Sequence, residues 1–179
     1  MRDFLGRAGK REYAVLAAVL LLAVAAYAPT LVSSFHFDDH AILADPHLTS
    51  PDGWWRVFRP QQTRPLTYFT FWVNYRLGEA NPRGYHAVNL AIHLGAVLAA
   101  WSAFRRILAA RGALIAAAIF ALHPLQSEAV AYVFARATLL ATLFCLLAWR
   151  DWLKGRWWRA AGWFALGLQA KEECVAFPV

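Results

Sequence analysis

YAVLAAVLLLAVAAYAPTLV, Tyr13 to Val32, contains no charged residue. Its 20 residues, at ~1.5 Å rise each, cover ~30 Å, the thickness of a bilayer's hydrocarbon core. The run reads as a membrane-spanning helix. A secretory signal is the rival reading. Arg7, Lys10 and Arg11 precede the run, and Ala26-Tyr27-Ala28 has the small-x-small form of a cleavage site. The run is longer than a usual signal core, Pro29 follows the would-be cut, and more apolar runs lie downstream, so the spanning reading is preferred.

Working outward, composition supports the same class. Sixty per cent of the 179 residues are hydrophobic and 16% are charged, against about 45–50% apolar in soluble domains. Nine Trp and twelve Phe are many for this length, and aromatic side chains collect at membrane interfaces. The net charge of +7 does not point to nucleic acid, because the basic residues cluster between apolar runs, as in membrane-protein loops. The two cysteines, Cys145 and Cys174, imply no disulfide framework and have no metal-ligand partner at a useful spacing. No metal site is expected.

Four further spans are expected: His86 to Leu108, Arg111 to Leu122, Ser127 to Trp149, and Trp157 to Ala170. The third and fifth are short of ~17 residues unless flanking Arg side chains snorkel. The expected fold is an all-α integral membrane bundle of about five spans. Residues 1–12 form a cytoplasmic N-terminus and 13–179 the transmembrane region. Orientation follows from the basic residues. Arg2, Arg7, Lys10 and Arg11 precede span one. Arg105, Arg106 and Arg111 mark the link between spans two and three, whose bounds are approximate. Arg150, Lys154, Arg156 and Arg159 follow span four. Alternation puts all three groups on one side, which is the cytoplasmic side by the positive-inside rule.

The opposite side carries one long loop, residues 33–83, too long for a simple connector. It holds the adjacent carboxylates Asp38 and Asp39 in SFHFDDHAIL. It also holds two aromatic-rich stretches, Trp54 to Arg59 and Leu66 to Leu77, with Pro60 and Pro65 between them. Both stretches are expected to lie as amphipathic segments in the headgroup plane, where a loop can handle a lipid-linked substrate.

Polar residues gather toward this same side. His86, Asn89 and His93 share a helix face by their spacing. His123 ends span three. Glu128 begins span four, with Arg136 ~12 Å further along it. Lys171, Glu172 and Glu173 close span five. Each has a plain explanation as a cap, a packed polar group or a span terminator. Their convergence at one depth points to a cavity open to the outer face.

FDDHAI, RPL (Arg64 to Leu66), NPRGYHAVNLAIH (Asn81 to His93), FALHPLQSEAVAYVFARATLLATLF (Phe120 to Phe144) and KEECVAFPV occur in that order. The set resembles the amino-terminal half of the membrane O-mannosyltransferase-like proteins that carry tetratricopeptide repeats, and their bacterial relatives. The resemblance implies a GT-C-like fold and a polyprenyl-phosphate sugar as donor substrate; no cofactor is expected, and dependence on a divalent metal is left open. It implies Asp38 as general base, Asp39 in support, and Arg64, Arg136 and Lys171 as ligands of the donor phosphate, a role suited to guanidinium and ammonium groups. His86, Asn89, His93, His123, Glu128 and Glu172 are implied as cavity lining. The chain carries no tetratricopeptide repeat and has fewer spans than GT-C enzymes, so a fragment of a longer protein is expected.

The leading expectation is therefore an inverting transferase that moves a hexose, expected to be mannose, to an acceptor hydroxyl at the non-cytoplasmic face. The acceptor is a protein Ser or Thr, or a glycan or lipid. Membrane lipids are the other expected partner, and a bacterial protein of this kind would sit in the inner membrane. A non-catalytic transporter or lipid-binding module would use the same polar cavity, but repeats or broken helices in matching halves are not evident in the sequence.

Overall fold

The computed structural model describes residues 9–59 and 63–177. Arg2, Arg7 and Pro60 lie outside the described residues. Within them the chain is all-helical, with no strand. Helix α1 (Lys10–Tyr27) runs on through a 3-10 turn, Ala28–Val32. Short helices α2 (Asp39–Ala44), α3 (Pro46–Thr49) and α4 (Gly53–Arg56) follow, then α5 (Pro65–Gly78). After them come α6 (Pro82–Phe104), α7 (Ala110–Leu122), α8 (Gln126–Ala131), a 3-10 turn Val133–Ala135, α9 (Arg136–Trp152), α10 (Trp157–Ala170) and a last 3-10 turn, Glu172–Ala176.

Three helical segments are long and apolar enough to cross a membrane: Lys10–Val32, Pro82–Phe104 and Val133–Trp152. α7 is apolar but has only 13 residues, and α10 has 14. The buried stripe of α1 is Leu16, Val19, Ala23 and Tyr27, at helical spacing, while Leu21 and Leu22 on the other side stay exposed. A lipid surround tolerates that apolar outer face. α7 buries Ala113, Ala117 and Ala121, four residues apart and without exposure. Such a small-residue stripe lets α1 and α6 approach its backbone closely.

The ends of the spans differ from the sequence expectation in two places. α6 starts at Pro82, four residues before His86. Proline suits the first helical position, and Asn81 caps it by accepting the Arg83 N–H at 3.1 Å. The expected single span Ser127–Trp149 is broken. Tyr132 is extended (φ −92°, ψ 116°) and separates α8 from the following turn and α9. Val130, Tyr132, Val133 and Phe134 are β-branched or aromatic, types that lose side-chain freedom in a helix. Irregular backbone near a span survives only when protein groups satisfy it. Here Asn89 and Asp39 do so, as described below. Glu128 and Arg136 are consequently on different helices, so the ~12 Å separation along one helix does not apply.

The stretch Leu66 to Leu77 also differs from expectation. As α5 it is an integral packing helix, burying Thr67, Phe71 and Asn74. Phe71 joins Phe35, Ile42, Leu48, Val57, Tyr85 and Val133 in one apolar cluster. On α4 and just after it, Trp54, Trp55 and Phe58 remain exposed, while Val57 is buried. Gly53 holds α4 against α3: a Cβ there would lie 1.6 Å from the His47 carbonyl oxygen. Gly53→Ala must therefore push the two helices apart. It is expected to destabilise by roughly 1–3 kcal/mol, read as a lower thermal midpoint in detergent. An unchanged midpoint would show that the two helices do not pack this closely.

The basic links converge on one end of the bundle. Glu12 of α1 pairs with Arg105 after α6 at 2.5 Å. Buried Asp151 accepts from Arg150 at 3.2 Å and Trp163 Nε1 at 3.0 Å, and Arg159 lies 3.3 Å from it. It thereby fastens the α9–α10 turn. Burial and the neighbouring Arg150 and Arg106 push the Lys154 ammonium pKa below its usual value.

Candidate active site

The acidic pair is split by its surroundings. Phe37, with φ 46°, turns the chain sharply just before it. Asp39 then opens α2 and is fully buried. Its Oδ2 accepts the His36 N–H at 3.1 Å and its Oδ1 accepts the Phe134 N–H at 2.8 Å. Its carboxylate is thus committed to closing its own turn and satisfying the break before α9. Asp38 is exposed. Its N–H donates to the Tyr132 hydroxyl at 3.2 Å, and that hydroxyl donates to Asp38 Oδ2 at 3.0 Å.

Behind this pair lies a buried network. Asn89 on α6 donates to the Tyr132 carbonyl at 3.1 Å and lies 3.5 Å from that of Val133. Arg136, the first residue of α9, is fully buried. Its Nε donates to Asn89 Oδ1 at 2.8 Å and its Nη2 to the Tyr85 carbonyl at 3.0 Å. Its Nη1 lies 3.3 Å from both the carbonyl and hydroxyl oxygens of Thr70. The guanidinium carbon is 4.4 Å from the centre of the Phe71 ring and 5.7 Å from that of Tyr85. All three nitrogens are taken by the protein. Arg136, expected to reach the donor phosphate, here joins α5, α6 and α9 instead, and is not open to a ligand.

Two other expected cations stand on the same side as the α5–α10 contact. Thr67 donates to the Ala170 carbonyl at 2.8 Å, fixing the start of α5 against the end of α10. One turn earlier, Arg64 grips Glu172 bidentately, at 2.8 and 2.6 Å. That grip holds the Glu172 carboxyl down at about 2. The pair is solvent-facing, so its value to stability is small. Lys171 donates to Thr138 on α9 at 3.2 Å and lies 2.6 Å from Glu173. A groove of about 420 Å³ opens beside it, lined among others by Thr142, Cys145, Leu146 and Phe177.

The remaining expected residues divide. His86 is buried beside the Ser33–Ser34 backbone and near Asp39, without a hydrogen bond of good geometry at either ring nitrogen. His93 is enclosed: its Nε2 is 3.1 Å from the Ala121 carbonyl, and its ring stacks on Phe120 and meets the Tyr27 edge. It packs α6 against α7 and lines no open site. His123 and Glu128 are exposed, and His123 Nδ1 accepts the Leu125 N–H at 3.2 Å. Neither hydrogen-bonds to the network around Asp38. Sequence reading missed Tyr132, Thr70 and Thr138. Tyr132 lies inside the quoted stretch Phe120 to Phe144, but nothing local distinguishes its hydroxyl from an interfacial tyrosine's.

Among the described residues, the fold and this cluster define an all-helical protein with three helices long and apolar enough to cross a membrane and a polar site where α2, α5, α6 and the α8–α9 break meet. The chain matches the TMTC family of protein O-mannosyl-transferases. It is 32% identical over 152 residues to mouse "Protein O-mannosyl-transferase TMTC3", covering 77% of this chain and 16% of that protein. It is 36% identical over 166 residues to Drosophila melanogaster "Protein O-mannosyl-transferase Tmtc2", covering 82% and 18%. The human "Protein O-mannosyl-transferase TMTC2" is 33% identical over 164 residues, covering 80% and 20%. The chain thus spans a fifth or less of these relatives' length. No family model and no solved structure matches it.

Proposed function

We propose that this chain forms part of a GT-C-like membrane glycosyltransferase that moves mannose from a polyprenyl phosphate to a protein Ser or Thr hydroxyl. The observation that carries the reading is the split acidic pair. Asp39 is buried and spent on backbone N–H groups, whereas Asp38 is exposed with Oδ1 free of hydrogen bonds to the described residues. A general base must reach the substrate, and only Asp38 of the two can. In the reaction, Asp38 takes the acceptor's hydroxyl proton as that oxygen bonds to the anomeric carbon. The bond from that carbon to the phosphate oxygen breaks on the opposite face, inverting the configuration and releasing polyprenyl phosphate.

Arg64 and Lys171 are the proposed phosphate ligands. Glu172 shows Arg64 already holding an oxyanion by its fork, as a phosphate would be held. The donor phosphate then displaces Glu172, and the polyprenyl chain lies in the groove beside Lys171. Positive charge at the leaving phosphate stabilises the transition state. The site faces the non-cytoplasmic side, with the basic ends of α1, α6 and α9 on the cytoplasmic side, and α7 and α10 complete five crossings.

The test uses the complete protein in proteoliposomes, radiolabelled polyprenyl-phosphate mannose and a Ser/Thr-rich acceptor peptide. Label is expected on the peptide, in the anomeric form opposite to the donor's. No transfer, or retained configuration, would overturn the reading. In cells, a single cysteine at Asp52 of a Cys-free protein is expected to react with an impermeant maleimide, and one at Lys154 only after permeabilisation. The reverse pattern would invert the topology.

A further inference from the structure

Asp38 is exposed on a sharp turn, and among the described residues Tyr132 alone hydrogen-bonds to its carboxylate. An exposed aspartate otherwise samples several side-chain rotamers. The Tyr132 contact removes that freedom in a particular way. Its hydroxyl donates to Oδ2 and accepts from the N–H of the same aspartate. The carboxylate is therefore fixed relative to its own backbone, not merely touched at its tip.

Tyr132 is itself well anchored. Its carbonyl is held by Asn89, and Asn89 by the buried Arg136. Its ring lies 6.3 Å from that of Phe134, whose N–H holds Asp39. A chain of hydrogen bonds thus runs from the bundle interior to one oxygen of the exposed carboxylate. At the break between α8 and α9 the Tyr132 carbonyl also accepts the Ala135 N–H at 3.1 Å, so that oxygen is held from two directions.

We propose that Tyr132 is the positioning residue of Asp38, fixing Oδ2 so that Oδ1 faces the acceptor hydroxyl. The inference rests on the reading of Asp38 as general base. The proton of the acceptor hydroxyl goes to Oδ1, and the phenol keeps its own proton throughout. A reacting group misplaced by ~1 Å costs on the order of 100-fold in rate, which is the scale on which such a hydroxyl matters.

Tyr132→Phe keeps the ring against Phe134 and removes only the hydroxyl. The experiment compares the complete wild-type protein, Tyr132→Phe and Asp38→Asn in proteoliposomes, with polyprenyl-phosphate mannose and acceptor peptide both varied. Tyr132→Phe is expected to lower kcat ~10- to 100-fold per folded molecule, with KM for donor and acceptor and the thermal midpoint little changed. A wild-type kcat in Tyr132→Phe, beside an inactive Asp38→Asn, would overturn the inference and leave the base in place. A loss that only tracks the folded fraction would also overturn it, because Tyr132 would then be structural. An Asp38→Asn protein that transfers at the wild-type rate would overturn the base assignment itself, and Tyr132's role with it. So would a wild-type protein that transfers no mannose.

Discussion

Asp38→Asn in the complete protein is expected to slow mannose transfer by ~10²–10⁴-fold, the usual cost of losing a general base, while donor binding survives. Asparagine keeps the size of the side chain and an oxygen that can accept the Tyr132 hydroxyl, so the turn after Phe37 persists. What it lacks is an oxygen able to take the acceptor's proton. Asp39→Asn should behave differently. Asp39 satisfies two backbone N–H groups from inside the protein, and an amide oxygen can serve only one of them. The remaining unpaired N–H costs about 1–3 kcal/mol of stability, with a smaller effect on the rate of the folded fraction. Turnover and donor binding, measured side by side on both variants, separate the two roles. Near wild-type transfer by Asp38→Asn would place the base elsewhere.

Arg136→Ala is expected to be the most damaging substitution for folding. It leaves a cavity among α5, α6 and α9, strips Asn89 Oδ1 and the Tyr85 and Thr70 oxygens of a donor, and removes the cation from two aromatic faces. Cavity and unpaired polar groups together put the loss at roughly 3–5 kcal/mol. Arg136→Lys should recover little, since one ammonium cannot reproduce a planar fork that reaches three separate acceptors. The measurement is the yield of monodisperse protein in detergent and its thermal midpoint. A well-folded Arg136→Ala protein that has lost only donor affinity would return Arg136 to the phosphate site.

Much of this protein's character is written locally. The uncharged run from Tyr13 to Val32, the basic groups that alternate with apolar runs, and the acidic pair after the first span are properties of neighbouring residues. A reader needs only hydropathy and charge order to find them. Hydropathy was less able to set helix ends. It placed the second span at His86 to Leu108, because it weighs apolar content and ignores that Asn81-Pro82 begins a helix well. It merged α8 with α9, because an extended residue at Tyr132 leaves the apolar content of the stretch unchanged. It treated Leu66 to Leu77 as a surface segment, because its aromatic content fits an interface as well as it fits a core.

By itself, then, the sequence determined the apolar, membrane-type character, the clustering of the basic links, the likeness to the TMTC proteins, and which residues carry charge in an apolar chain. Only the tertiary structure decided how those charges are used. Asp38 and Asp39 are adjacent in the chain and equal in chemistry, yet partners 94 and 95 residues away make one exposed and the other buried. Arg136 is as cationic as Arg64, but acceptors on α5 and α6 turn it inward, whereas Arg64 meets Glu172 at the surface 108 residues along. The physical reason is range: hydropathy and helix signals act within a few turns, whereas burial and hydrogen-bond partners depend on which distant helices the packed bundle brings together.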